Sequence, residues 1–189
     1  MNGICQTHSG IAWNLLDPDP ESVRIEDIAH ALSNQCRYNG HCKEFYSVAE
    51  HSVRVASCLP PKHQLAGLLH DAAEAYIGDI VRPLKPLLRD YRAIEEATTR
   101  AVLDGLGLSD LQVNHEVVKY ADRSIILATE GRDLMDITQW EIWAPDLYHD
   151  KFVESALDEV IVPWSNHEAR RRFMDAYMYQ TSMPEGSHI

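Results

Sequence analysis

The stretch Gln64–Gly78, QLAGLLHDAAEAYIG, decides the fold. Its run of leucine and alanine reads as a buried helix, and Gly78 stops it, because glycine adopts helix-ending backbone conformations without steric cost. Three ionisable side chains, His70, Asp71 and Glu74, sit inside this apolar run. Glu74 follows His70 by four residues and Asp71 by three, so all three overlook one site. Buried charges without partners are costly, and these residues therefore need a chemical explanation.

Outward from this stretch the chain keeps a helical period. Ile25, Ile28 and Leu32 repeat at helical spacing in IEDIAHALS, after a turn-rich segment Leu16–Arg24. Asn34–Tyr46 is polar, contains Gly40 and reads as a loop; Ser47 caps VAEHSVRVASCL, which Pro60 and Pro61 end. DIVRPLKPLL is irregular or a short helical turn. Asp90–Leu106 carries the stripe Tyr91, Ile94, Ala97, Ala101, and Val113–Met135 is the longest periodic run, weakened near its end by Gly131. Two more helices are expected, near Asp150–Ile161 and Ser165–Gln180. Strand-like alternation is confined to a short extended piece near Ile11–Leu15. The expectation is one all-α domain over residues 1–189, with residues 1–24 and the tail 181–189 peripheral.

Composition sets the outer limits. In 189 residues, 45% are hydrophobic and 24% charged, as in ordinary globular proteins. No apolar run approaches the roughly 18 residues of a membrane span, and MNGICQTHSGIAW has no signal-peptide pattern, so a cytoplasmic protein is expected. With 17 basic against 29 acidic residues the net charge is −12, which argues against binding bulk nucleic acid. An anionic small molecule would need a local basic pocket or a bound cation. Cys5, Cys36, Cys42 and Cys58 form no CxxC pair and read as reduced thiols.

Two further polar residues fall on apolar stripes. Asp122 lies with Val118, Ile125 and Thr129 at helical spacing, and His51 lies with Val48 and Val55. An inward carboxylate such as Asp122 requires an arginine, backbone donors or a metal. Two imidazoles and two carboxylates from three helices suit a borderline divalent ion such as zinc, manganese or cobalt, with positions left for water. A His-Asp dipeptide alone means little: ten histidines in 189 residues give about one such pair by chance, and His149-Asp150 reads as a surface pair.

Taken together, SVAEHS around His51, LLHDAAEAYIGDI around His70 and Asp71, and VKYADRS around Asp122 resemble the HD-domain metal-dependent phosphohydrolases. The resemblance is closest to the 5′-deoxyribonucleotidases and to prophage- and phage-encoded HD hydrolases. For the latter it runs nearly end to end, from IEDIAHALSNQCRYNGH through VKYADRSIILATEGRDL. It implies an HD-type helical bundle in which His51, His70, Asp71 and Asp122 ligate one divalent metal ion. It likewise implies that Glu74 assists proton transfer. Arg37-Tyr38, fourteen residues before His51, would orient the phosphate and stack on the base. The loop after the HD helix would contact substrate through Asp79, Ile80, Val81 and Arg82. Ala75 after Glu74 departs from the HDxxED pattern of alarmone hydrolases, and the extra histidines of dinuclear HD phosphodiesterases are missing from HDAAEA.

The activity so implied is cleavage between phosphorus and the 5′-oxygen of a deoxynucleotide, as a 5′-deoxyribonucleotidase or a dNTP triphosphohydrolase. Arg37, Glu74 and Asp79 are the expected catalytic groups, and Asp71 and Asp122 also face the substrate. Asp79 orients the attacking water or bonds a sugar hydroxyl. Arg82 and Lys85 read equally as phosphate-directed charge and as solvated helix-end charge, and His41 as substrate wall or structure. The competing reading is an inactive, metal-stabilised nucleotide-binding or regulatory module. Arg170, Arg171 and Arg172 read as a solvated face, and Trp140, Trp143 and Trp164 as packing residues. By analogy with related enzymes a homo-oligomer is expected.

Overall fold

The computed structural model describes residues 3–143 and 155–182. The Ser47 hydroxyl accepts the Glu50 amide at 3.1 Å, capping α2 (Val48–Ser57) as the sequence predicts. Pro60 and Pro61 end α2 and open α3 (Pro61–Leu69), where a proline at the first position has no amide to waste. Between the two helices Gly67 is a close-approach point: a Cβ there would lie 2.4 Å from Leu59 Cδ1 and 3.1 Å from Ala56 Cα.

The long helix read across Gln64–Gly78 is broken. After Leu69 the backbone makes shorter-range bonds, from Ala72 N to Leu69 O and from Glu74 N to Asp71 O, before α4 (Glu74–Ile77). Gly78 then ends α4 at φ 80°, as expected of a helix-stopping glycine. A short tight turn at Lys85–Leu87 leads to α5 (Tyr91–Gly105).

The run Val113–Met135 starts later than its pattern suggests and is not uniform. It comprises α6 (Glu116–Tyr120), a wide π turn (Ala121–Ile126) and α7 (Leu127–Leu134). In the wide turn Leu127 N reaches back five residues to Asp122 O. Gly131 does not weaken the end; it is buried in α7, with Trp140 of α8 (Trp140–Trp143) against it. The helix expected near Asp150–Ile161 is corrected for residues 155–161, which are irregular. Residues 150–154, with His149-Asp150, lie outside the described residues, as does the tail from 183. The last helix, α9 (Asn166–Ser182), covers α1 (Ile25–Asn34), α2 and α3.

The fold is mostly helical, with one addition. β1 (Ile4–Gln6) and β2 (Ala12–Asn14) form an antiparallel hairpin, pairing Cys5 with Trp13, at the place where a short extended piece is read from sequence. The leading segment is more than peripheral. Trp13 is fully buried and stacks on Tyr76 at 3.9 Å, and Val23 joins the same core as Ile28, Leu32, Leu68, Val102 and Phe173. Asp27 of α1 accepts both the amide and the hydroxyl of Ser9 at 2.7 Å, fastening the hairpin. Cys5, Cys36, Cys42 and Cys58 are free thiols. No helix among the described residues is long and apolar enough to cross a membrane.

Candidate metal centre

His51 reaches the interior because α2 buries Val48, His51 and Val55 completely on one face. The turn after α3 delivers His70 and Asp71, and the wide turn delivers Asp122. Around His51 Nε2 lie Asp122 Oδ1 at 3.2 Å, His70 Nε2 at 3.3 Å and Asp71 Oδ2 at 3.6 Å; His70 Nε2 is 3.1 Å from Asp71 Oδ2. Donor atoms of His51, His70 and Asp71 all lie within 4.8 Å of one another. An ion about 2 Å from each of four tetrahedral donors sets those donors about 3.3 Å apart, and the observed spacings bracket that edge. His51, His70 and Asp71 are thus brought together at spacings that fit a cation, and Asp122, the fourth expected ligand, lies beside them through its contact with His51.

The electrostatics point the same way. Burial favours the neutral form of Asp71, but His70, His51 and Arg37 outweigh it and hold the carboxyl far below the usual range. Asp122 is brought to about 2, against burial, by its bond to His51 and by the charges of His51 and His70. His51 itself is pushed up to about 9: burial and Arg37 oppose its protonation, and Glu130 and Asp122 prevail. Without a divalent ion, a proton on His51 balances these carboxylates.

The flanking groups are equally constrained. Arg37 NH1 lies 3.7 Å from Asp71 Oδ2, and its buried Nε has no partner. Tyr38 is half-buried, and its hydroxyl donates to Glu130. Tyr38 and Asn39 both have left-handed backbone, at φ 57° and 52°, which non-glycine residues rarely adopt. Glu74 is 5% exposed; one oxygen faces Lys85 Nζ at 3.3 Å and the other has no partner. Burial, Asp71 and Asp79 raise the Glu74 carboxyl well above its ordinary range, with Lys85 opposing. Asp79 is also raised by burial, with Arg37 opposing and Asp71 adding to the shift.

The remaining sequence candidates divide. Lys85 is half-buried and ion-paired with both Glu74 (3.3 Å) and Glu95 (2.8 Å). Arg82 is exposed and makes no hydrogen bond or ion pair among the described residues. Ile80 and Val81 are half-buried, and His41 is exposed. Arg171 and Arg172 pair with Glu168 on the surface of α9. Trp140 is buried, and Trp164 lies between the Arg54 and Arg172 guanidinium groups.

Two residues of the site escape the sequence reading. Glu130 is fully buried, and its Oε1 lies 2.7 Å from His51 Nδ1. Gln35 donates to the Glu74 carbonyl at 3.0 Å and accepts the Asp79 amide at 3.1 Å, tying the turn after the HD pair to the end of α1. Glu130 has a faint signal, an acid eight residues after Asp122. In a regular helix eight residues leave it about 80° off that face; the extra residue of the wide turn brings it to within about 20°.

No protein-family model matches this sequence. Two relatives do. The uncharacterized protein YfdR of Escherichia coli is 46% identical over 129 residues, covering 68% of this chain and 71% of that one. An uncharacterized protein of Rhodobacter capsulatus is 39% identical over 110 residues, 53% of this chain and 56% of its own. Identity at that level over more than two thirds of YfdR places this chain in the YfdR family.

Proposed function

We propose that this chain is an HD-type, metal-dependent phosphohydrolase acting on deoxynucleotide 5′-phosphates. The carrying observation is the convergence of His51, His70 and Asp71 at ligand-cage spacing, with Asp122 3.2 Å from His51 and the half-buried Arg37 3.7 Å from Asp71. His51, His70, Asp71 and Asp122 would hold a zinc, manganese or cobalt ion. When bound, such an ion lowers the pKa of water and neutralises phosphate oxygens.

The chain's own residues supply the rest. Arg37, half-buried, offers its unpartnered Nε–H to a phosphate oxygen in a charge-assisted bond. Glu74, whose carboxyl burial and Asp71 raise well above its ordinary range, gives a proton to the departing 5′-oxygen through its unpartnered oxygen, or passes one from water. Gln35 fixes the backbone at Glu74 and Asp79, so both carboxyls keep their places as substrate arrives.

The test offers each dNMP and dNTP to protein loaded with manganese, cobalt or zinc and identifies the phosphorus product. Phosphate from monophosphates marks a nucleotidase; triphosphate from dNTPs marks a triphosphohydrolase. Loss of turnover with retained cation binding is expected for Glu74→Gln. Absence of hydrolysis by any cation-loaded form would reject the enzyme in favour of a binding module.

A further inference from the structure

One buried carboxylate joins the two halves of this site. Glu130 is fully buried in α7 and uses both of its oxygens. Oε1 faces His51 Nδ1 at 2.7 Å, on the side of the ring away from Asp71, Asp122 and His70. Oε2 accepts from the Tyr38 hydroxyl and lies 3.4 Å from Arg37 NH2. The first contact fixes which His51 nitrogen points to the cage. The second spans 92 residues of chain to hold a turn with two consecutive left-handed residues, a conformation that persists only when its surroundings over-determine it.

We propose that Glu130 is a positioning residue serving cation and phosphate sides at once: it orients His51 towards the cation and anchors the Arg37–Tyr38 arm that meets the anionic substrate. This rests on the phosphohydrolase reading above. Each oxygen has its own task, so the tasks separate by mutation. Glu130→Gln keeps size but offers an amide, whose N–H2 repels at least one of the three donors. Tyr38→Phe removes only the arm's anchor and leaves the Oε1–His51 contact.

The experiment measures cobalt or zinc affinity by competition with a chromogenic chelator, alongside kcat and KM on the dNMP series. Glu130→Gln is expected to lose about 10–100-fold in cation affinity, as supporting carboxylates of ligand histidines do, and to raise KM. Tyr38→Phe is expected to raise KM while cation affinity stays within about threefold, below the loss that a missing carboxylate support causes. A folded Glu130→Gln protein with wild-type affinity and KM would overturn the proposal. So would Tyr38→Phe matching its loss of cation affinity, since the arm rather than the carboxylate would then be the support. Should Glu130→Gln fail to fold, Glu130→Asp, which withdraws the charge by one methylene, is read by the same criteria. Wild-type protein that binds cation without hydrolysing nucleotide defeats the hydrolase reading alone, and the affinity comparison still decides the role of Glu130. Wild-type protein that binds no cation defeats both.

Discussion

His70 Nδ1 lies 2.7 Å from the carbonyl oxygen of Gly67, three residues earlier on α3. A carbonyl only accepts, so Nδ1 carries a proton, and Nε2 is the nitrogen left facing Asp71 and His51. The ring is therefore pre-set as a ligand before any ion arrives. Replacing His70 with alanine should weaken zinc or cobalt binding by more than about 100-fold, exceeding the loss of a mere supporting group. Chelator competition measures this, and a His70→Ala protein with unchanged affinity would remove His70 from the cage.

The pH dependence follows from His51. Its folded value of about 9 lies above the ordinary 6.5, so its contribution to cation-free stability is full below pH 6.5 and fades as pH rises through 9. A ligand imidazole must be neutral, so cation affinity should climb over that window, by up to about tenfold per pH unit for one released proton. The melting temperature of cation-free protein should fall across the range in which affinity rises. Asp122 and Glu130, each brought to about 2, act at the other extreme: their stabilisation is present above pH 4.5 and lost as pH falls through 2.

Gly67 is a packing constraint as well as an acceptor. A Gly67→Ala side chain would meet Leu59 and the Ala56 backbone, and forcing α2 from α3 should cost about 1–3 kcal/mol in urea unfolding. The same displacement moves His70 relative to His51, so cation affinity should fall in parallel. Stability lost without any change in affinity would show that α3 adjusts without carrying His70 along.

Lys85 restrains the proton affinity of Glu74. Burial and the neighbouring carboxylates push Glu74 up, and Lys85 Nζ at 3.3 Å pulls it back. In Lys85→Met the acid form should survive to higher pH, moving the limb of the pH–rate profile set by Glu74 upward. An unmoved profile would mean that Glu74 is not the titrating acid.

Local signals made most helices and the four proposed metal ligands legible. Ser47, the proline pair and Gly78 act through their own backbone chemistry, and His51, His70, Asp71 and Asp122 are conspicuous among apolar neighbours. What escaped depends on departures from regular spacing or on distant partners. The wide turn hid Glu130 because its phase is readable only once the extra residue is placed. The contacts of Tyr38 and Gln35 span 92 and 39–44 residues, separations at which no periodicity operates. Trp13 looked peripheral because a hairpin of two three-residue strands has too few residues to show alternation.

The surplus residue between Asp122 and Glu130 makes irregularity a structural asset. Winding the same eight residues into a uniform, better-bonded helix from Glu116 to Leu134 would swing Glu130 to about 80° off the Asp122 face, and the two acids would no longer address opposite edges of one imidazole. A straighter rod would be a poorer jig.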